Sequence, residues 1–263
     1  MSRKRPARGE TAHVSGKRHA VAADQHEGVR PGVMQPATAI RGAGDLPGWR
    51  YAIAVSRSTL TGIVLAGGYS ERFGADKARI IWRGRELCQH VAERMRSCAG
   101  SILFVVREDQ RGLAWPGDAV VCDDPALPPG PMRGIATGLM RIETEMAAVA
   151  AVDCPLLNPR LYLALASSLV AADAGALSAV PAWDGRLQPL VAVYRRDASK
   201  ALLRAIERGE RSLSRALAAL DSIRLSEAWC RAIDPAGASF SNINTADDLA
   251  RLELTAGSQS SGA

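Results

Sequence analysis

The chain has 263 residues, 47% of them hydrophobic and 23% charged, a composition typical of a soluble globular protein with a substantial core. The net charge of +6 comes from residues 1–58, which hold ten Lys/Arg and four Asp/Glu, whereas the remainder holds 23 of each. A neutral body argues against a nucleic-acid-binding surface, and no apolar run is long enough to predict a membrane span.

Residues 1–58 are polar, rich in Gly and Pro, and show no sustained hydrophobic period. Such a segment cannot bury enough apolar surface to offset the entropy of ordering it, which predicts a disordered basic N-terminal tail. It lacks the apolar core of a secretory signal. A basic tail can also bind nucleic acid or an acidic membrane weakly, and this alternative stays open beside that of a solvated tail.

From residue 60 onward, short apolar runs alternate with amphipathic segments. The apolar runs predict strands over Gly62–Ala66, Ser101–Val106, Ala119–Cys122, Met146–Val152, Ala176–Pro181, Pro189–Tyr194 and Ser222–Leu225. The amphipathic segments predict helices over Glu86–Ser97, Gly134–Glu143, Pro159–Val170, Ala198–Glu207 and Ser212–Ala219, with a capping box at Thr245–Asp248 before a last helix.

This alternation predicts an α/β fold with a mostly parallel sheet and helices on both faces. The domain is expected to span residues 59–253, with a flexible C-terminal tail over residues 254–263. Asn158 is the expected N-cap of the helix that begins at Pro159, and Asp184-Gly185 is an expected turn. The loop Pro125–Pro131 is too rich in proline for a helix or a strand.

Cysteine usage indicates the redox compartment. The number of cysteines is odd, their spacing is wide and no CxxC pair occurs: Cys88, Cys98, Cys122, Cys154 and Cys230. This pattern favours reduced thiols in a cytoplasmic protein over a disulfide framework or a zinc site.

The stretch LAGGYSERFGADKA, residues 65–78, follows the first predicted strand. Gly67 and Gly68 allow positive φ and close backbone approach, so that consecutive N–H groups could converge on an anion. Arg72 offers a bidentate phosphate fork and Lys77 a compact charge. The spacing matches neither a P-loop nor the dinucleotide fingerprint. The alternative is a turn with glycines beside two solvated basic side chains.

Carboxylates and amides follow other predicted strands. Asp153 could hold Mg²⁺ between two nucleotide phosphates, although a helix cap or turn is the alternative. Asp123 and Asp124 could bond a ribose or a water, although DDP is also a common turn composition. Asn242 and Asn244 lie on one face of an extended segment and could bind a polar ligand, with turn formation as the alternative. Ligands of such sheets bind beyond the carboxyl ends of the strands, which predicts one shared site.

Several stretches together resemble a known family. They are LAGG–S–RFG–DKA (Leu65–Ala78), GPMRGI (Gly130–Ile135), VDCPLL (Val152–Leu157), QPLVAVYRRD (Gln188–Asp197) and NINTADDL (Asn242–Leu249). Their sequence and order resemble molybdenum cofactor guanylyltransferases, the MobA-like nucleotidyltransferases, over about residues 60–252. The resemblance implies a three-layer, Rossmann-like nucleotidyltransferase fold. It also implies that GMP passes from GTP to the phosphate of molybdenum-molybdopterin with Mg²⁺, releasing pyrophosphate.

The resemblance also implies roles for residues. Lys77, Arg72 and Asp153 would be catalytic, with Asp153 binding Mg²⁺. The nucleotide would be bound by Leu65, Ala66, Gly67, Gly68, Lys77, Asp153 and one of Asp123 and Asp124. Asn242 and Asn244 would bind molybdopterin. Several positions depart from the family pattern: Met132-Arg133 replaces Leu-Ala, Val152 replaces a common cysteine, and Arg107 replaces a nucleotide-contacting asparagine. Tyr69 and Arg79 are also unusual.

Other functions stay open on sequence grounds. A related enzyme could use CTP, as a molybdopterin cytidylyltransferase, or a sugar phosphate; the double glycine at positions 67–68 favours the guanylyl branch by resemblance. A non-catalytic nucleotide-binding protein is a further alternative. The family would contact molybdenum-insertion proteins or molybdoenzyme chaperones transiently, and no membrane or nucleic-acid partner is expected.

Overall fold

The computed structural model describes residues 55–70, 75–172, 175–245, 247, 248 and 250. All of them belong to the second of the two units into which the chain divides, residues 45–263. Most of the predicted N-terminal tail and the predicted C-terminal tail lie outside the described residues, as does Arg72.

Twelve strands and six helices are formed by the described residues. The strands are β1 Leu60–Leu65, β2 Tyr69–Ser70, β3 Ala75–Asp76, β4 Ile81–Trp82, β5 Arg85–Glu86, β6 Ser101–Val106, β7 Ala119–Cys122, β8 Met146–Ala151, β9 Ser178–Trp183, β10 Arg186–Leu187, β11 Val191–Arg195 and β12 Ser222–Leu225. The helices are α1 Leu87–Arg96, α2 Pro131–Leu139, α3 Pro159–Ala171, α4 Ala198–Glu207, α5 Leu213–Ala219 and α6 Glu227–Arg231.

One eight-stranded sheet organises the fold. Its order is β10-β9-β11-β8-β1-β6-β7, with β12 paired to β9. Strands β7, β6, β1 and β8 are parallel neighbours, while β11 runs antiparallel to both β8 and β9, and β10 antiparallel to β9. The prediction of a mostly parallel sheet is confirmed. Leu65 at the end of β1 is in register with Val105 and Ala151, so three strands end at one level.

Helices cover both faces of the sheet because the central strands are apolar on both sides. On one face, Val64 belongs to a buried cluster that includes residues of α1 and α3. On the other, Ile63 belongs to a cluster with residues of α2, α4 and α5. The predicted three-layer α/β architecture is therefore confirmed. No helix in the described part of the chain is long and apolar enough to cross a membrane.

Helix α2 corrects one boundary prediction. It begins at Pro131, inside the segment expected to be a loop, because proline at the first helical position gives up no intrahelical hydrogen bond. It ends at Leu139, not Glu143. Gly134 and Gly138 bring the helix close to β1: a Cβ at Gly138 would lie 2.9 Å from the Ile63 side chain.

Other local predictions are confirmed. Asn158 caps α3 by accepting a hydrogen bond from the Arg160 N–H at 3.0 Å. Asp184 and Gly185 both have positive φ in the turn between β9 and β10. In the predicted capping box, the Asp248 N–H donates to Thr245 Oγ1 at 3.1 Å, and Asp248 Oδ2 accepts from the Thr245 N–H at 2.9 Å. Helix α6 and the short pair β4–β5 were not predicted.

Candidate active site

Three polar segments meet the carboxyl edge of the parallel strands. The loop after Leu65 follows β1, Asp123 and Asp124 follow β7, and Asp153 follows β8. Because these strands are parallel neighbours, their carboxyl ends lie at one edge of the sheet.

Lys77 is the residue that joins distant parts of this edge. It opens a short 3₁₀ turn, Lys77–Arg79, that Asp76 caps by accepting from the Ala78 N–H at 3.0 Å. Lys77 Nζ donates to Asp153 Oδ2 at 2.8 Å and to Asn244 Oδ1 at 2.6 Å. The Lys77 and Asp153 side chains are only 16% and 15% exposed. Three residues predicted from separate motifs therefore form one cluster.

The segment Asn242–Asn244 is anchored by its middle residue. The Ile243 N–H donates to the Asp153 carbonyl at 2.9 Å, and the Ile243 side chain is buried in a small cluster with Trp82 and Leu87. The amide of Asn242 is exposed, and its Oδ1 accepts from Cys154 Sγ at 2.9 Å. Burial raises the pKa of the Cys154 thiol well above its usual range, which keeps it a proton donor.

In the described part of the loop after β1, the carbonyls of Ala66 and Gly67 accept hydrogen bonds, and two N–H groups donate none. The Ala66 N–H donates to the Val105 carbonyl at 2.9 Å, the Ala66 carbonyl accepts from Gln110, and the Gly67 carbonyl accepts from Arg107 Nη1 at 3.1 Å. The N–H groups of Gly67 and Gly68 have no hydrogen-bond partner within the described ranges. They are the groups that this loop can offer to an anion.

The expected role of positive φ at the two glycines is wrong. Neither Gly67 nor Gly68 has φ in the left-handed range. A Cβ at Gly68 would meet nothing within 4 Å, and one at Gly67 would make only ordinary contacts with Arg107 and Val106. Their own conformation and packing therefore do not require glycine.

Gln110 is a residue of this edge that sequence reasoning missed. Only 2% exposed, it donates through Nε2 to the Ala66 carbonyl at 3.3 Å and to Asp76 Oδ2, and its Oε1 accepts from the Arg107 N–H at 2.9 Å. It thereby ties the loop after β1 to the residue that precedes Lys77. The polar sequence EDQ gives no signal of burial.

The two aspartates after β7 differ in their surroundings. Asp124 is exposed and accepts from the Ala126 N–H at 2.9 Å, as a turn residue does. Asp123 accepts from Arg133 Nε at 2.9 Å and Nη2 at 2.6 Å, and both side chains are nearly buried. The turn alternative thus describes Asp124, whereas Asp123 belongs to an ion pair.

The donor set suits a cation that arrives with a nucleotide better than a resident metal ion. No group of three or more His, Cys, Asp or Glu that could hold a metal occurs in the part of the chain that the structure describes. Asp153 offers a hard carboxylate oxygen beside Lys77. Mg²⁺ commonly uses one or two carboxylates and completes its shell with waters and substrate phosphates. Asp153 fits that pattern.

Comparisons with known proteins identify relatives of this chain. Residues 62–223 match the model of the MobA-like NTP transferase domain. A "probable molybdenum cofactor guanylyltransferase" of Chloroflexus aggregans is 34% identical over 75% of this chain and 95% of its own length. A molybdenum cofactor guanylyltransferase of Desulfosudis oleivorans is 31% identical over 74% of this chain and 94% of its own.

A solved structure gives the same result for the fold. The molybdopterin-guanine dinucleotide biosynthesis protein A of Archaeoglobus fulgidus is 27% identical, with a TM-score of 0.63, and the match covers 75% of this chain and 99% of that one. The resemblance noted in the sequence is therefore confirmed at the level of family and fold.

Proposed function

Because the chain belongs to the MobA-like NTP transferase family, we propose that it is a nucleotidyltransferase acting as a molybdenum cofactor guanylyltransferase. It transfers GMP from GTP to the phosphate of molybdenum-molybdopterin, which yields the guanine dinucleotide cofactor and pyrophosphate. The observation that carries the reaction type is the Lys77–Asp153–Asn244 cluster, where a cation and a carboxylate meet at the carboxyl edge of the parallel strands.

The nucleoside is proposed to lie over the loop after β1. Leu65, Ala66, Gly67 and Gly68 would line it, with the free N–H groups of the two glycines as donors. Of the two aspartates after β7, Asp123 is our candidate for nucleoside contact, because the hydrogen bond of Asp124 serves its own turn.

The triphosphate is proposed to lie against Lys77 and Arg72. Asp153 would hold Mg²⁺, which when bound neutralises charge on the phosphate oxygens. Lys77 would exchange its contacts with Asp153 and Asn244 for phosphate oxygens, and Arg72 would add a bidentate fork. Asn242 and Asn244 would then face the molybdopterin.

The chemical step needs no protein nucleophile. A phosphate oxygen of molybdopterin attacks the α-phosphorus in line, a new P–O bond forms, and the bond from the α-phosphorus to the bridging oxygen breaks. Pyrophosphate leaves with that electron pair. Lys77 and Arg72 lower the barrier by holding the reactants in place and by offsetting charge on the α-phosphate and the leaving group. Cys154 stays a buried donor to Asn242 throughout.

The test is transfer with the purified chain. Either molybdenum-molybdopterin or a sugar phosphate is incubated as the acceptor with the protein, Mg²⁺ and one of GTP, CTP and ATP. Pyrophosphate and the nucleotidyl product are both measured. We expect product with GTP at the highest rate. Product with CTP alone would instead assign a cytidylyltransferase, product only with a sugar phosphate would assign a sugar nucleotidyltransferase, and binding without turnover would assign a nucleotide-binding protein.

Location and partners belong to the same proposal. All five cysteines are free, which agrees with a role in the cytoplasm. We propose that the product passes through transient contact to molybdenum-insertion proteins or molybdoenzyme chaperones. Deleting residues 1–54 tests the basic tail: nucleotidyl transfer should survive, and any salt-sensitive nucleic-acid binding should vanish.

A further inference from the structure

Arg133, a departure from the family pattern, forms an ion pair at the edge of the candidate site. It is the third residue of α2, and both Nε and Nη2 donate to Asp123 Oδ2, at 2.9 and 2.6 Å. Its third nitrogen, Nη1, donates to the Leu127 carbonyl at 3.0 Å. Every nitrogen of the guanidinium group is engaged, so the side chain is held in one position.

This pair differs from the surface pairs of the protein in its burial. The Arg133 and Asp123 side chains are 13% and 15% exposed, close to the values of Lys77 and Asp153. Exposed pairs contribute little to stability, and burying a pair costs desolvation energy that its attraction only partly returns. A pair of this kind at a site edge therefore calls for a reason other than stability.

The pair lies next to residues that contact the loop after β1, the proposed nucleoside position. The Asp123 N–H donates to the Val106 carbonyl at 2.9 Å, which sets Asp123 beside Arg107, the residue bonded to the Gly67 carbonyl. The pKa of Arg107 is raised chiefly by its hydrogen bonds to Asp109, with smaller contributions from the charges of Asp76 and Asp123. The carboxylate of Asp123 is therefore near Arg107, the side chain that contacts the loop after β1.

Helix α2 brings the arginine to the same place. Gly134 follows Arg133, and a Cβ at Gly134 would lie 3.1 Å from Leu65 Cδ2, so the helix packs directly on the end of β1. Asp123 Oδ2 takes both donors of Arg133, while Oδ1 has no hydrogen-bond partner among the described residues. One carboxylate oxygen is therefore left for an N–H or O–H group of a nucleoside.

We propose that Arg133 is a positioning residue for the nucleoside of GTP, acting through Asp123. It fixes the carboxylate so that Oδ1 is presented to the nucleoside, and it cancels a negative charge that would otherwise repel the triphosphate. The inference rests on the proposed function. Since the nucleoside is bound alike in the ground state and the transition state, loss of Arg133 affects GTP affinity and KM more than turnover.

The test compares Arg133→Met, which removes the charge and the donors, with Arg133→Lys, which retains the charge. GTP binding is measured by calorimetry on the full chain with Mg²⁺ and no acceptor, and kcat and KM are measured separately. We expect Arg133→Met to raise the Kd and KM of GTP about 10- to 100-fold, because an unpaired carboxylate remains, with kcat changed less than about threefold. Arg133→Lys should recover part of the loss.

Arg96→Met is the matched control. Arg96 also places two hydrogen bonds on an aspartate, Asp118, and a third on a backbone carbonyl, that of Pro116. Asp118 precedes β7, whereas Asp123 follows it, so the control pair lies at the opposite edge of the sheet. GTP affinity should be unchanged in Arg96→Met.

The double variant Asp123→Asn with Arg133→Met separates positioning from folding. It removes both charges and keeps an oxygen acceptor, so GTP should bind more tightly than to Arg133→Met alone. A Kd unchanged within about twofold in Arg133→Met would overturn the proposal, as would a fall in kcat at constant KM that follows the folded fraction. If Arg133→Met does not fold, the Kd of GTP is compared between Arg133→Lys and Asp123→Asn instead.

The inference and the proposed function can fail separately. Absence of GMP transfer by the unsubstituted protein would refute the function. The ratio of GTP affinities between the variants is measured without an acceptor. It therefore tests the role of Arg133 independently of the transfer reaction.

Discussion

Replacing Asp153 with asparagine tests the centre of the candidate site. The change keeps the shape of the side chain and an oxygen that can accept from Lys77, and it removes one negative charge. If Asp153 holds Mg²⁺ on the triphosphate, GMP transfer should fall by about 10²- to 10³-fold, the usual loss for one electrostatic element of a transition state. The Mg²⁺ concentration needed for half-maximal rate should rise, because an amide oxygen is a weaker ligand than a carboxylate.

The expected effect on folding is smaller. Lys77 Nζ and Asp153 Oδ2 are 2.8 Å apart, which at an effective dielectric constant near 20 corresponds to a gross attraction of about 6 kcal/mol. Desolvation and the partial exposure of both groups offset most of it, so the free energy of unfolding should fall by about 1–2 kcal/mol. The predicted rate loss equals about 3–4 kcal/mol in activation free energy. Activity should therefore fall by more than stability does.

The control is Asp197→Asn, the same substitution in a Lys–Asp pair on the surface. Lys200 Nζ lies 2.9 Å from Asp197 Oδ1, but the two side chains are 72% and 70% exposed. Pyrophosphate release in single turnovers gives the rate, and urea titration gives the free energy of unfolding. A rate within about threefold of the unsubstituted protein for Asp153→Asn would refute the assigned role, and so would an equal rate loss in both variants.

Three further outcomes test other parts of the molecule. Gln110→Leu leaves buried polar groups unpaired, so urea titration should show a loss of about 1–3 kcal/mol and GTP titration a weaker affinity; unchanged stability would contradict the buried network. Gly138→Ala places a methyl group 2.9 Å from the Ile63 side chain of β1, so thermal or urea denaturation should show a loss of about 1–3 kcal/mol in unfolding free energy. Gly112→Ala is the control, because a Cβ there meets nothing within 4 Å, and it should cause no such loss. The pKa of Glu210 is lowered to about 2, chiefly by its hydrogen bonds from Arg215. The stability that this carboxylate adds is therefore present above about pH 4.3 and is lost as the pH falls toward 2. Glu210→Gln should flatten the pH dependence of the free energy of unfolding in that window.

The sequence predicted the framework of the fold because that framework depends on local patterns. Strands β1, β6 and β8 are short apolar runs, as strands buried on both faces must be. Helix α3 begins where Asn158 and Pro159 provide a cap and a first residue. Prediction failed where one residue type has two structural roles. Proline breaks a helix in its interior but is favoured at the first helical position, and Pro131 occupies that position in α2.

The sequence was enough to predict which residues belong to the candidate site, but not which of them contact one another. Asp153 could be placed from sequence because it directly follows a strand of a parallel sheet. Which groups contact Asp153 depends on tertiary packing. Lys77 and Asp153 are 76 residues apart in the sequence, and Lys77 and Asn244 are 167 residues apart. Gln110 shows the same limit, because a glutamine in a polar stretch becomes buried only when its loop folds over Ala66, 44 residues earlier.

The charges of the candidate site are already paired before a substrate enters. Lys77 forms an ion pair with Asp153, and Arg133 forms one with Asp123. None of these four side chains therefore carries an unpaired charge. A triphosphate that drew Lys77 away without a counter-charge would leave the Asp153 carboxylate facing the anion at a Coulombic cost. A divalent cation that arrived with the nucleotide would remove that cost, because it would pair with the carboxylate while Lys77 contacted the phosphates. On the proposed function, we therefore expect nucleotide and metal together to bind more favourably than either alone.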